Sequence, residues 1–268
     1  MATVREASRQ AVERGLNGYG LTAAPLTPRR DVLDLLAELH PVTTDVPLVR
    51  LGPAGDGGYV VPDDVDGIIA CFSPGIGAVS DFESDCAARG MDVFMADASV
   101  DGPAVANERF HFVKKYLGPV PDETTMEIDE WVEESLGGRA GDLLLQMDIE
   151  GAEWQVLPTM SDDLLRRCRI IVIELHDLHE LFVRPAFWCM APQLRRIVRT
   201  HHCVHIHPNN YLGTSTRNGV TIPRLAEITF LRRDRATVTG FARSFPHPLD
   251  ADNTGRPVIA LPTSLWRS

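Results

Sequence analysis

The sequence lacks an excess of positive charge and any long apolar run. Lys and Arg number 26 against 37 Asp and Glu, so the formal net charge is −11 at pH 7. Proteins that follow a nucleic-acid backbone are usually basic, so we expect no nucleic-acid partner. The same acidity argues against an anionic membrane surface, and no run approaches the roughly 18 apolar residues of a membrane span. We therefore expect no membrane partner.

Cysteine is scarce and follows no pattern. The chain has 5 cysteines and no C-x-x-C pair. Cys71, Cys168 and Cys203 lie in or beside apolar runs, which indicates buried free thiols. Residues 1–15 mix acidic and basic side chains and lack the apolar core of a secretion signal. These absences predict a cytoplasmic location.

The length of 268 residues suffices for one large domain with an appendage, and a hydrophobic content of 44% is ordinary for a globular protein. Residues 1–45 predict an N-terminal helical extension. Thr27-Pro28 is a typical helix start. An apolar repeat with helical spacing follows at Val32, Leu35, Leu36 and Leu39.

Residues 46–268 predict a single α/β domain, because short apolar runs alternate with amphipathic helical segments. Gly90 is placed to end the first of these helices in a left-handed conformation. We expect a sheet of about seven strands, mostly parallel, with helices on both faces. The predicted strands are 68–72, 91–96, 110–113, 143–147, 170–173, 203–206 and 226–231, with a further edge strand at 258–261.

Ligands of an open parallel sheet bind at the carboxyl ends of its strands. The first two predicted strands lead to a glycine turn at Gly75 and Gly77 and to an acid at Asp97. A glycine turn lets a ligand approach the backbone, and an acid in the second position binds ribose hydroxyls. This order favours a nucleoside cofactor. The turn lacks the third glycine of a dinucleotide site, which disfavours a nicotinamide oxidoreductase.

The segment 148–154, DIEGAEW, resembles the D-x-E-G-x-E hallmark of FkbM-type S-adenosylmethionine-dependent methyltransferases. Three further stretches resemble bacterial relatives of that family in sequence order: 50–61 (RLGPAGDGGYVV), 72–90 (FSPGIGAVSDFESDCAARG) and 173–177 (IELHD). The pair 205–210 (HIHPNN) and 223–230 (PRLAEITF) also fits. The resemblance covers residues 48–232 and implies a Rossmann-like class I methyltransferase sheet.

The resemblance also implies positions for S-adenosyl-L-methionine. The glycine turn would lie along the cofactor, Asp97 would bind the ribose, and Asp56 would bind the cofactor ammonium. Ser73 and Pro74 stand where the family usually has an acid, and Glu83 or Asp81 are expected to replace it. The full predicted cofactor set is Asp56, Gly57, Gly58, Tyr59, Ser73, Gly75, Gly77, Asp81, Glu83, Asp97 and Met147.

Methyl transfer to a hydroxyl requires a general base or a divalent metal that lowers the hydroxyl's pKa. Acids and histidines at the ends of the later strands supply both. Asp148, His176 and His207 are the candidate catalytic residues. The candidate ligands of Mg²⁺ or another divalent metal are Asp148, Glu174, His176 and His205. His205 is equally explained as a core histidine. Glu227 is expected to face the site or to pair with Arg224.

The sequence thus predicts a metal-assisted O-methyltransferase for a small polar acceptor, such as a sugar or a natural product. N- or C-methylation with the same cofactor remains an alternative, as does a protein that binds the nucleoside cofactor without catalysis. We expect a small-molecule acceptor, and the sequence leaves homo-oligomerisation open.

Overall fold

The computed structural model describes residues 23–77 and 79–266. The part of the predicted helical extension at residues 1–22 lies outside the described residues. The strands are β1 (Val42–Thr44), β2 (Leu48–Leu51), β3 (Tyr59–Pro62), β4 (Ala70–Pro74), β5 (Asp92–Ala96), β6 (Phe110–Val113), β7 (Tyr116–Leu117), β8 (Thr125–Met126), β9 (Leu143–Met147), β10 (Cys168–Leu175), β11 (His201–Pro208), β12 (Thr214–Arg217), β13 (Val220–Pro223), β14 (Ala226–Arg232) and β15 (Val238–Phe241).

The helices connect successive strands. The α-helices are α1 (Arg29–Glu38), α2 (Asp81–Ala88), α3 (Ile128–Leu136), α4 (Glu153–Val156), α5 (Asp162–Arg167) and α6 (Arg184–Thr200). Short 3-10 helices cover Leu178–Phe182, Arg233–Arg235 and Thr263–Leu265. Within the described ranges, no helix has both the length and the apolar character needed to cross a membrane.

The central sheet has seven strands in the order β11-β14-β10-β9-β4-β5-β6. The five strands in the order β10-β9-β4-β5-β6 are parallel to one another, whereas β14 runs antiparallel to both β10 and β11. The expected α/β sheet of about seven mostly parallel strands is confirmed. Because the parallel strands run in one direction, their carboxyl ends form one edge at which ligand-binding groups collect.

The strands are continuous apolar runs because both faces of the sheet are covered. On β9, Leu143 and Leu145 belong to one buried cluster, which includes residues of α1, α3 and α6. Leu144 belongs to the opposite cluster, which includes residues of α2 and of the β2–β3 hairpin. Alternate side chains therefore anchor two layers, and the strand ends between them are fixed.

Sequence and structure agree closely on the central strands. β6 and β9 have the predicted bounds, and β5 begins one residue late. β10 and β11 each have 8 residues, so they extend beyond their predicted cores at both ends. Gly90 has φ +90, as predicted for the residue after α2. The predicted edge strand at 258–261 does not form.

The described part of the N-terminal segment packs on the domain. Val32, Leu35 and Leu36 of α1 are buried in the core cluster that contains α6. β1 pairs antiparallel with β15, close to the other end of the chain. The segment from α1 to β1 is therefore in contact with the chain after β14.

Candidate active site

A cavity of about 530 Å³ lies at the carboxyl ends of β4, β5 and β9. Four predicted cofactor residues are among those that line it: Asp56, Gly75, Gly77 and Asp97. The remaining lining residues are Ile76, Ala96, Ser99, Val100, Tyr116, Leu117, Asp148, Ile149, Glu150 and Ala152. The wall is thus a glycine turn, two strand-end acids and a mainly apolar side, which suits a ligand with polar and flat apolar parts.

Gly75 allows the end of β4 to touch the end of β9. It has φ +84, and a Cβ at this position would overlap the carbonyl oxygen of Asp148. The Gly75 amide donates to Ala96 O at 2.9 Å, and the Asp148 amide donates to Pro74 O at 3.3 Å. This close approach holds Asp148 at the cavity wall. Gly77 has open space around its Cα among the described residues, so its backbone faces the cavity.

Asp97 is held in one orientation at the end of β5. Its Oδ1 accepts hydrogen bonds from the Ser99 amide and the Ser99 hydroxyl, both at 2.6 Å. The other carboxylate oxygen receives no hydrogen bond from the described residues. A fixed carboxylate with one available oxygen is suited to accept hydrogen bonds from a ligand diol.

Three predicted cofactor residues form a buried network beneath the cavity instead of lining it. Ser73 Oγ lies 2.6 Å from both Glu83 Oε1 and Gln146 Oε1, and Gln146 Nε2 donates to Tyr59 Oη at 3.1 Å. Burial raises the pKa of Glu83, although the hydrogen bond from Ser73 opposes the shift. Glu83 therefore contacts Ser73 from α2, and its role as a replacement acid stays a prediction.

The other four predicted cofactor residues do not line the cavity. Asp81 is exposed at the start of α2, and Met147 is fully buried in the core cluster. Gly57 and Gly58 lie in the β2–β3 hairpin, where a Cβ on Gly58 would overlap Pro53 O. Gly58 is thus required by the hairpin's own packing.

Asp148, Glu174 and His176 come together at the ends of β9 and β10. One potential ligand atom from each lies within 4.8 Å of the other two. Ligands held at about 2.1 Å from a small divalent cation are separated by roughly 3–4 Å, so these groups need only a small adjustment to share one. Asp148 Oδ1 is buried without a hydrogen-bond partner among the described residues. Two carboxylates and an imidazole, one oxygen unpaired, fit a divalent metal.

The acids of this cluster repel one another when no cation is bound. Burial raises the pKa of Asp148 to about 7, with Glu150, Glu153 and Asp56 adding to the effect against the influence of His176. Burial and the neighbouring Asp148 and Glu227 carboxylates raise the pKa of Glu174. Burial opposes protonation of His176, but Glu153, Asp148 and Glu150 outweigh it and raise its pKa to about 9. A bound cation would relieve this repulsion.

A row of polar side chains extends from the cluster across the sheet. Glu174 on β10 pairs in register with Glu227 on β14, which pairs with His207 on β11. Asn209 Nδ2 donates to Glu174 Oε1 at 2.7 Å, and Asn253 Nδ2 donates to Glu227 Oε1 at 2.7 Å. Burial raises the pKa of Glu227 to about 7. Glu227 therefore faces this row of polar side chains, which is one of the two environments predicted for it. Its hydrogen-bond donor, the side-chain amide of Asn253, comes from the C-terminal segment.

The structure does not bring His205 to the metal-binding cluster. Its Nε2 lies 2.8 Å from Asp250 Oδ1, and its register partner on β14 is Thr229 rather than Glu227. It is therefore held as a buried core histidine. His207 Nδ1 lies 3.5 Å from Asp250 Oδ2, and both of its ring nitrogens are buried without a hydrogen bond from the described residues. Two carboxylates, Asp250 and Glu227, outweigh burial and raise the pKa of His207.

Sequence reasoning missed several polar residues of this region. Asp250 and Asn253 are in the C-terminal segment, which has no regular structure that would place them, and Gln146 is hidden in an apolar strand. Glu153 was visible as part of the 148–154 motif but had no assigned role. It is fully buried and contacts His176.

The strand ends of the α/β sheet thus form a cavity of about 530 Å³ beside a carboxylate–histidine cluster. Residues 84–202 match the family model described as the Methyltransferase FkbM domain. This segment therefore resembles the FkbM methyltransferases, and the resemblance indicated by the sequence is confirmed. The matched segment includes Asp97 and the Asp148, Glu174 and His176 cluster. No curated protein sequence matches the chain significantly.

Proposed function

We propose that the protein is an S-adenosyl-L-methionine-dependent O-methyltransferase that acts on a hydroxyl of a small polar acceptor with the help of a divalent metal. One observation carries the proposal. Asp148 belongs both to the cavity wall and to the cluster with Glu174 and His176. A cofactor in the cavity and an acceptor at the cluster would therefore meet at Asp148.

The cofactor assignment is supported by the strand order and by the cavity. The order β6-β5-β4-β9-β10-β14-β11, with β14 reversed, is the arrangement expected of a Rossmann-like class I methyltransferase. Asp97 would accept hydrogen bonds from the ribose hydroxyls, and Asp56 would contact the ammonium group. S-Adenosyl-L-methionine supplies an electrophilic methyl group when it is bound. The glycine turn at Gly75 and Gly77 would let it lie against the backbone.

The metal assignment is supported by the fit of the donor set. Asp148, Glu174 and His176 would hold Mg²⁺ or Mn²⁺, and the histidine favours Mn²⁺. Such an ion lowers the pKa of a hydroxyl bound beside it. Asn209 and Asn253 orient the carboxylates of Glu174 and Glu227, which would hold the acceptor oxygen beside the ion.

The reaction forms a bond between the acceptor oxygen and the methyl carbon and breaks the bond between that carbon and sulfur. The hydroxyl proton must leave as the new bond forms. Asp148 lines the cavity, and in the metal-free protein burial raises its pKa to about 7, so it would take this proton there at neutral pH. With the cation bound, Asp148 would act as its ligand, and the cation would lower the pKa of the hydroxyl instead. His207 is the second candidate base; it is separated from Asp148 by Glu174 and Glu227 in the row.

A methyl-transfer assay tests the proposal. Isotope-labelled S-adenosyl-L-methionine is incubated with a panel of sugars and hydroxylated natural products, in chelator and then in Mg²⁺ or Mn²⁺. We expect metal-dependent label in an ether linkage, and at least a 100-fold loss for Asp148→Asn. Asp129→Asn is the matched control, because Asp129 accepts from the Ser161 amide away from the site. Label transferred to nitrogen or carbon, or unchanged in chelator, would reject the metal-assisted O-methyltransferase.

A further inference from the structure

The Glu153 side chain connects the loop after β9 to the residue that follows β10. It is completely buried. Its Oε1 accepts from the Ile149 amide at 3.0 Å and the Gly151 amide at 3.3 Å, and it lies 3.2 Å from His176 Nδ1. One oxygen therefore ties the loop after Asp148 to the histidine that follows β10.

We propose that Glu153 is a positioning residue that fixes the orientation and tautomer of His176 for binding a divalent cation with Asp148 and Glu174. The inference deepens the proposed function and rests on its metal site. A carboxylate can only accept from an imidazole N–H, so Nδ1 carries a hydrogen. Nε2 lies 3.4 Å from Oε2 of the exposed Glu150 side chain and is the nitrogen that would bind the cation. Histidine ligands of metals are commonly held in this way.

The backbone around His176 is fixed by the same motif. Trp154 Nε1 donates to His176 O at 2.7 Å. A Cβ on Gly151 would lie 3.9 Å from His176 Cβ, so the loop packs directly against the histidine. Glu150 has φ +56 and Gly151 has φ +99, which turns the loop around the Glu153 carboxylate. The 148–154 motif thus combines a metal ligand, a turn and a support for a second ligand.

Anchoring the loop does not require the negative charge of Glu153. The two loop amides require only a neutral acceptor, which the amide oxygen of glutamine provides. A carboxylate buried without compensation is unfavourable, and Glu153 Oε2 has no hydrogen-bond partner among the described residues. His176 is the group that gains from the negative charge, because a metal-bound imidazole is more strongly polarised at its remaining N–H.

Titration of Mn²⁺ into the full-length, chelator-treated protein by calorimetry tests this role without an acceptor. Glu153→Gln is expected to weaken Mn²⁺ binding by about 10- to 100-fold. His176→Gln should weaken it at least as much, and the double variant should bind no more weakly than His176→Gln alone. Asp129→Asn, which removes another loop-anchoring carboxylate, should bind Mn²⁺ like the wild type. Circular dichroism checks that each variant is folded.

The double variant separates positioning from a structural role. If Glu153 acted on the cluster independently of His176, the losses caused by the two substitutions would multiply in the double variant, and the inference would be overturned. Equal Mn²⁺ binding by the wild type and Glu153→Gln would overturn it as well. No binding by the folded wild type would instead reject the metal site of the proposed function, and this inference with it. If Glu153→Gln does not fold, Glu153→Asp withdraws the carboxylate by one methylene and should also weaken binding.

Discussion

Substitution of Gly75 by alanine probes the contact on which the cavity depends. The residue has φ +84, and a Cβ there would lie 2.5 Å from the carbonyl carbon of Asp148 and closer still to its oxygen. Ordinary van der Waals contact begins at 3.4 Å. Because the Asp148 oxygen would lie 1.5 Å from the Cβ, the ends of β4 and β9 must separate by roughly 1.5–2 Å, which a close-packed interior resists. Asp148 would move with β9.

Two effects set the size of the destabilisation. A left-handed conformation disfavours alanine by about 1–2 kcal/mol, and forced overpacking costs typically about 1–3 kcal/mol. We expect Gly75→Ala to lower the free energy of unfolding by roughly 2–5 kcal/mol, which corresponds to a fall in Tm of about 5–15 °C.

Two other glycines provide matched controls. Gly90 has φ +90, and a Cβ there would have no described atom within 4 Å, so Gly90→Ala measures backbone strain alone. Gly77 has neither a left-handed φ nor a close neighbour among the described residues, so Gly77→Ala should leave stability within about 0.5 kcal/mol of the wild type. Urea unfolding followed by circular dichroism gives the three values, and calorimetry gives the affinity for S-adenosyl-L-methionine.

The order of stability of the three variants tests whether the close approach shapes the cavity. We expect Gly75→Ala to be the least stable and to lose most of its cofactor affinity, because Asp148 and the turn are displaced together. Equal destabilisation by Gly75→Ala and Gly90→Ala, with cofactor affinity retained in Gly75→Ala, would refute the argument that the close approach shapes the cavity.

Three further predictions concern the cofactor pocket and the stability of the fold. Asp97→Ala should raise the Kd for S-adenosyl-L-methionine by about 10- to 100-fold in calorimetry, because the proposed contacts with the ribose would be lost; an unchanged Kd would remove Asp97 from the pocket. Arg169→Met should destabilise the protein by about 3 kcal/mol in urea unfolding, because Arg169 is buried between Asp64 and Asp142; a loss below about 1 kcal/mol would contradict this. Burial lowers the pKa of His201 from 6.5 to about 4, so the unfolded state binds more protons between these values and stability falls as pH decreases. Relative to His201→Gln, the wild type should lose roughly 2–3 kcal/mol between pH 7 and pH 4.5, and parallel pH profiles would show that His201 is not the cause.

The strands were predictable because both faces of the sheet are covered. Runs such as Leu143–Met147 are apolar throughout, and glycines such as Gly90 and Gly137 end the helices between them. The edge strand at 258–261 was wrong because apolar character alone does not supply a neighbouring strand. The segment pairs with no strand in the described part of the chain and is irregular.

The strand-end acids were predictable because parallel strands deliver their carboxyl ends to one edge. That rule alone predicts that the strand ends carry Asp148, Glu174 and His176, and the structure brings these three residues together. His205 is in the same strand as His207, so the sequence pattern does not separate their roles. Only the structure shows that Asp250 holds His205 in the core. Asp250 and Asn253 were not predictable, since no local pattern indicates where an irregular segment crosses the site.

Calorimetric titration of S-adenosyl-L-methionine into chelator-treated protein, repeated with Mn²⁺, tests the central claim most directly. The account predicts micromolar cofactor binding without metal, and a separate Mn²⁺ site that Asp148→Asn removes. Folded protein that binds neither S-adenosyl-L-methionine nor Mn²⁺, or that binds NADH instead, would contradict it.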